Sequence, residues 1–148
     1  MKKIISISVI AVLMMIASVN VSAQEGIIYE NIYNEGQLLY KEHTKVEAIT
    51  KHPILKRTYV INSNGQALET IDYKWDSVSS GWEAVKKYEY KYTDDNLLAS
   101  TTHMKWDNKN RRWSDNIDQM IYHYNMDKNL TSVDKVNKKR TQFLAENK

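Results

Sequence analysis

Two nonapeptides constrain the fold of this chain more than anything else in it: KWDSVSSGW, Lys74 to Trp82, and KWDNKNRRW, Lys105 to Trp113. Each reads Lys-Trp-Asp, five residues and a second Trp, and the copies begin thirty-one positions apart. Two tryptophans so spaced can face each other across an antiparallel hairpin, where a cross-strand aromatic pair contributes roughly 0.2–1 kcal/mol over alanines. Trp75 then opposes Trp82, Trp106 opposes Trp113, and Lys74 falls across from Glu83 as an opposite-charge pair. The same arithmetic in the second hairpin sets Leu98 against Ile121 and Leu97 against Tyr122. It also sets His103 against Asn116 and His123 against Asn96. In the loops Asp76 and Asp107 can accept amide hydrogen bonds, Gly81 can take positive φ, and Asn108 and Asn110 tolerate the left-handed region.

The stretches between these loops carry the alternation that a strand requires. From Lys86 to Tyr92, Tyr88, Tyr90 and Tyr92 share one face and Lys87, Glu89 and Lys91 the other. Ile117 to Tyr124 is apolar on both parities in its second half, which predicts a strand covered on both faces. Turn-like segments begin at Asn34, Asn62, Thr93 and Asn125, each leading to a leucine: Leu39, Leu68, Leu98 and Leu130, separated by 29, 30 and 32 residues. That drifting period is the mark of one supersecondary unit per copy. Strands are expected near 27–33, 37–43, 55–62, 66–75, 82–92, 97–106, 113–124 and 129–136. Thr44 to Pro53 stays open between strand, helical turn and loop, and Pro53 is expected outside the strong strands. The C-terminal KKRTQFLAENK is a short helix or a tail.

The fold class that follows is all-β: an antiparallel meander of about 6 to 8 strands built from degenerate ~30-residue hairpin repeats. The units lie near 33–61, 62–91, 92–123 and 124–140. The pattern is equally compatible with an open curved sheet and a barrel.

The first residues speak to destination. Lys2 and Lys3 precede a 14-residue apolar run, Ile4 to Ala17, and Val21-Ser22-Ala23 supplies small residues for cleavage. This is the pattern of a secretory signal peptide, residues 1–23, leaving 24–148 as a single β domain, periplasmic or secreted. The run is shorter than the about 20 residues that a membrane helix needs, so no membrane span is expected after cleavage. With no cysteine in the chain, neither lipid attachment at the cleavage site nor a disulfide is available. Without residues 1–23 the balance is 19 basic against 18 acidic residues, too nearly neutral for the broad positive field of a nucleic-acid binder.

The pattern of paired tyrosines, turn, leucine and Trp-Asp is carried by Tyr90, Tyr92, Asp94, Asp95, Leu98, Trp106 and Asp107. It returns in Tyr122, Tyr124, Asp127 and Leu130. Over residues 58–136 it resembles small exported β proteins of unknown function from Gram-negative gut bacteria, and it is loosely similar to the tyrosine-aspartate repeats of Rhs-type proteins. The resemblance implies a fold and an exported address, and no activity.

No nucleophile elbow, phosphate-cradling loop or ligand cluster is present in the sequence. His43, His52, His103 and His123 form no close ligand pair, so neither a metal nor a cofactor is expected. The function expected is a noncatalytic binding or interaction module, engaging a glycan or a protein through an aromatic sheet face, with Trp75, Trp82, Trp106, Trp113, Tyr88 and Tyr90 as ligand-binding candidates. An open sheet edge is the other surface considered, and it makes self-association possible. The alternative is a small envelope or polysaccharide hydrolase using Asp and His residues, with Asp94, Asp95, Asp115 and Asp118 as the acids to weigh.

Overall fold

The computed structural model describes residues 4–10 and 26–139. Lys2, Lys3 and the expected cleavage segment Val21 to Ala23 lie outside the described residues, as does the C-terminal segment beyond Lys139. Nine strands form one sheet in sequence order: β1 (Ile4–Ile10), β2 (Gly26–Glu35), β3 (Leu38–Glu47), β4 (Pro53–Ile61), β5 (Ala67–Asp76), β6 (Gly81–Tyr92), β7 (Leu98–Asp107), β8 (Arg112–Tyr124) and β9 (Leu130–Lys139). Every neighbour pair is antiparallel, and β1 and β9 are opposite ends of the order, so the meander is open and not a barrel. The eight strands from β2 onward correspond to the eight expected from alternation, and β1 falls inside the expected leader.

Turn chemistry explains where each strand stops. The loops after β4, β6 and β8 share one geometry: Gly65, Asn96 and Lys128 donate their amides to the carbonyls of Asn62, Thr93 and Asn125. The first residue of each loop also bonds to the strand that follows, since Asn62 Oδ1, Thr93 Oγ1 and Asn125 Oδ1 accept from the amides of Gln66, Leu97 and Asn129. The left-handed position is occupied by Gly36, Gly65, Asn96 and Lys128 in the four turns on this side of the sheet. Neighbouring turns touch as well, through Asn64 Nδ2 to Asn96 Oδ1 at 3.2 Å and Lys128 Nζ to Asp95 Oδ1 at 3.1 Å. On the other side, Thr44 to Pro53 resolves into the end of β3, a turn, and the start of β4. Pro53 opens β4 against Val46 at a register shift, a strand-start position that spares the missing amide.

Facing residues in an antiparallel ladder share a face and neighbours along a strand alternate. One row crosses the sheet as Asn31, Glu42, Thr58, Ile71, Lys87, Met104, Ile117 and Lys138, which defines the front. The next residue on each strand gives a back row: Ile32, Lys41, Tyr59, Thr70, Tyr88, His103, Asp118 and Asn137. No second layer covers either face among the described residues. Among the described residues the buried apolar side chains are accordingly only Val46, Met104 and Ile117, with Met104 and Ile117 packed against Trp113. Among the described residues no helix is long and apolar enough to cross a membrane.

A single layer corrects one expectation: β8 is not covered on both faces, since Ile117 is 1% exposed on the front while Met120 on the back is 37% exposed. With so small an apolar core, ion pairs take over much of the back face. Arg57 clamps Asp72 through two donors, Nε to Oδ1 and Nη2 to Oδ2, the latter at 2.9 Å, and Lys86 approaches the same carboxylate at 3.4 Å. Burial alone would push the Asp72 carboxyl up, but Arg57 and Lys86 outweigh it and hold it below its usual value. Glu30 is likewise held down, first by its bond to Lys41 at 2.9 Å, with His43 adding a contact at 2.8 Å.

Candidate functional site

The two Trp hairpins lie at the same end of the sheet and on the same face. Trp75 opposes Trp82 with ring centroids 5.2 Å apart and planes at 78°, while Trp106 opposes Trp113 at 5.0 Å and 76°. This edge-to-face arrangement sets the positive rim of one indole on the negative face of the other. Lys74 and Glu83 meet as expected, at 2.9 Å. Asp76 accepts from the amides of Val78 and Ser79, and Asp107 accepts from the amide of Asn110 at 3.1 Å, so both aspartates close their loops. Those hydrogen bonds hold both carboxyls below the usual range, with Ser79 the largest cause at Asp76 and Asn110 at Asp107.

Positive φ falls elsewhere than expected in both loops: on Ser80 (φ 50°) and Arg111 (φ 50°) rather than on Gly81, Asn108 or Asn110. The residue that must turn left-handed is fixed by the loop's register against the Trp pair, one position before the strand resumes. Composition favoured its better-suited neighbours instead.

The register beyond Trp106 also departs from the arithmetic. Trp106 faces Trp113, yet Met104 faces Ile117, so β8 spends two more residues than β7 between these pairs. This bulge moves Ser100, not Leu98, opposite Ile121, and brings His103 opposite Asp118 rather than Asn116. It has a packing cause. Sliding β8 by two residues keeps Ile117 on the front beside Met104, where Trp113 covers both.

The six binding candidates divide between the faces. Trp75, Trp82, Trp106 and Trp113 are all half-buried on the front. Tyr88 and Tyr90 are on the back, where Tyr88 stacks on His103 at 4.9 Å and Tyr90 faces Thr101. The four indoles form one aromatic end of the front face, and the two tyrosines do not join it, because the single-residue alternation of β6 is interrupted by a bulge at Val85 between Ala84 and Lys86.

Sequence reasoning passed over two features of this face. Lys56 stands 5.0 Å from the ring centroids of both Tyr73 and Trp82, and Lys87 stands 5.7 Å from that of Trp113. Both are tethered, Lys56 to Glu42 at 3.5 Å and Lys87 to Glu69 and Glu89. Burial opposes the charge on Lys87, but Glu89 and Glu69 outweigh it and raise its pKa. At the opposite end of the front, Tyr33 and Tyr40 stack at 5.1 Å with planes 3° apart. These tyrosines flank the first turn at the same near-symmetric spacing that singled out the tryptophans, so the signal was present and unused.

The acids and histidines are dispersed. His43 binds Glu30, His123 binds Asp134 at 2.9 Å, and His103 Nδ1 is 3.7 Å from Asp118 with its buried Nε2 unpartnered. Asp115 is engaged by Arg112 at 2.8 Å. No group of three His, Cys, Asp or Glu side chains suited to a metal occurs among the described residues. Asp95 and His123 do line one open depression of about 410 Å³, with Tyr122, Tyr124 and Lys128.

No protein-family profile and no curated protein matches the chain. Two crystal structures are similar in fold. One is a DUF3836 family protein from Parabacteroides distasonis ATCC 8503, 15% identical with a TM-score of 0.45, covering 82% of this chain and 97% of that one. The other is a DUF3836 family protein from Bacteroides vulgatus ATCC 8482, 18% identical with a TM-score of 0.43, covering 74% of this chain and 97% of that one.

Proposed function

We propose that this protein is an exported, noncatalytic binding module, periplasmic or secreted, that receives a glycan on the front face of its sheet. The observation that carries the reading is the convergence of both indole pairs on one end of a face that, among the described residues, no second layer covers. Flat rings offer a surface for the C–H groups of a sugar, and the tethered Lys56 and Lys87 supply hydrogen-bond donors beside them for its hydroxyls. The spacing of Gly36, Gly65, Asn96 and Lys128 at 29, 31 and 32 residues, all with positive φ, supports an origin in duplicated hairpins. The test is a glycan array probed with wild type, Trp106→Ala and Tyr90→Ala, each checked for native circular dichroism. Wild type and the back-face variant are expected to bind the same glycan, with the Trp variant at least tenfold weaker. A wild type that binds no glycan, or equal loss in both variants, overturns the reading.

A second reading, a small envelope or polysaccharide hydrolase, has one observation in its favour: Asp95 and His123 share a depression. Both are committed elsewhere, to Lys128 and Asp134, and both are open to solvent, where a general acid gains little from its surroundings. Polymer degradation that disappears in His123→Ala would support it over binding alone.

A further inference from the structure

We propose that, once the leader is removed, the edge of β2 is the strand-pairing surface of this protein and that a second copy of the chain occupies it through its own β2. The inference rests on the export reading above and is independent of any glycan. β1 lies within the expected leader, and it covers that edge through an antiparallel ladder running from Ile4 opposite Tyr33 to Ile10 opposite Ile28. The edge therefore accepts an antiparallel strand. Removal of β1 leaves the outward backbone amides and carbonyls of β2 without partners, which is the condition for pairing with another chain.

The two ends of the sheet are built differently. β9 carries Lys135, Lys138 and Lys139, and its ladder with β8 is broken between His123 and Tyr124, both of which are devices that blunt an edge. β2 reads GIIYENIYNE, with neither lysine nor proline. Its ladder with β3 runs through ten successive pairs, Gly26 with Glu47 to Glu35 with Leu38, without a register shift, whereas every other ladder in the sheet has one. A regular, unbroken edge carrying Ile28, Tyr29, Ile32 and Tyr33 is a template for addition. Pairing about a two-fold axis at Asn31 sets Tyr29 against Tyr33 and Glu30 against Ile32, so no like charges face each other.

The absence of cysteine makes the test direct, because a single introduced thiol can cross-link only to another copy. The full chain is expressed with its leader in an exporting host, its N-terminus is read by mass spectrometry, and its mass in solution is measured by light scattering. The expected product begins near residue 24 and is a dimer. Asn31→Cys, at an exposed position, is expected to oxidise to a covalent dimer, while Asn137→Cys on β9 associates as the unsubstituted chain does but forms no covalent cross-link. Asn31→Lys gains an attractive neighbour in Glu42 on β3 but sets two lysines against each other across the dimer, and it is expected to weaken association at least tenfold with circular dichroism unchanged. A cleaved but monomeric chain, or equal cross-linking at residue 137, overturns the edge inference and leaves export standing. An uncleaved chain overturns both.

Discussion

Replacing Trp75 and Trp82 by alanine, singly and together, and doing the same at Trp106 and Trp113, measures what each indole pair contributes. The pairs have nearly the same geometry, 5.2 Å and 78° against 5.0 Å and 76°, so the coupling within each should be nearly the same. Aromatic pairs of this kind contribute about 0.5–1.5 kcal/mol beyond the area they bury. The single substitutions should differ, because the surroundings do. Trp113 packs on the Met104–Ile117 cluster. A half-buried indole withdrawing about 100 Å² of apolar surface from water at roughly 25 cal/mol per Å² is worth about 2.5 kcal/mol, below the roughly 3–5 kcal/mol typical of a fully buried ring. Trp82→Ala also forfeits the contact with Lys56, worth about 0.5 kcal/mol at an exposed site. Urea unfolding followed by far-ultraviolet circular dichroism is the assay, since the substitutions remove the fluorophores. Coupling energies below about 0.3 kcal/mol in both cycles, within the scatter of independent sites, would mean that the rings are neighbours without being a clasp. Coupling in one pair alone would refute their equivalence.

Three further outcomes follow from the back face and the loops. Asp72 and Glu30 have depressed folded pKa values, so the unfolded chain takes up their protons first; the stability they contribute is complete above the ordinary carboxylate range and is lost as pH falls through about 4 and below. Asp72→Asn should therefore lower the urea midpoint at pH 7 and flatten its decline between pH 5 and 3, and an unchanged acid limb would refute the assignment. Arg111 has φ 50° in the second Trp loop, so Arg111→Gly should raise stability by about 0.5–1 kcal/mol by relieving left-handed strain. Gly65→Ala (φ 78°), where an added methyl meets nothing within 4 Å, should cost about 1 kcal/mol through the backbone alone. Thermal unfolding of the two variants checks both signs.

What could be read along the chain is what depends on neighbours in sequence. Alternation through Tyr88, Tyr90 and Tyr92, the turn residues Asn62, Thr93 and Asn125, and the Trp spacing are local signals. They determined the strands, the hairpins, the antiparallel class and the pairing of Trp75 with Trp82 and Trp106 with Trp113. Register beyond a bulge is a different kind of quantity, because each inserted residue flips or shifts everything after it. The two extra residues of β8 between Trp113 and Ile117 exist to keep Ile117 against Met104, a contact between residues thirteen apart whose energy no local pattern records. The bulge at Val85 likewise flips the faces of β6 and separates the tyrosines from the tryptophans, an inserted residue that alternation along the strand does not register. Tertiary structure alone decided that one layer suffices and that the sheet stays open, since whether a face is covered depends on what the rest of the chain can reach.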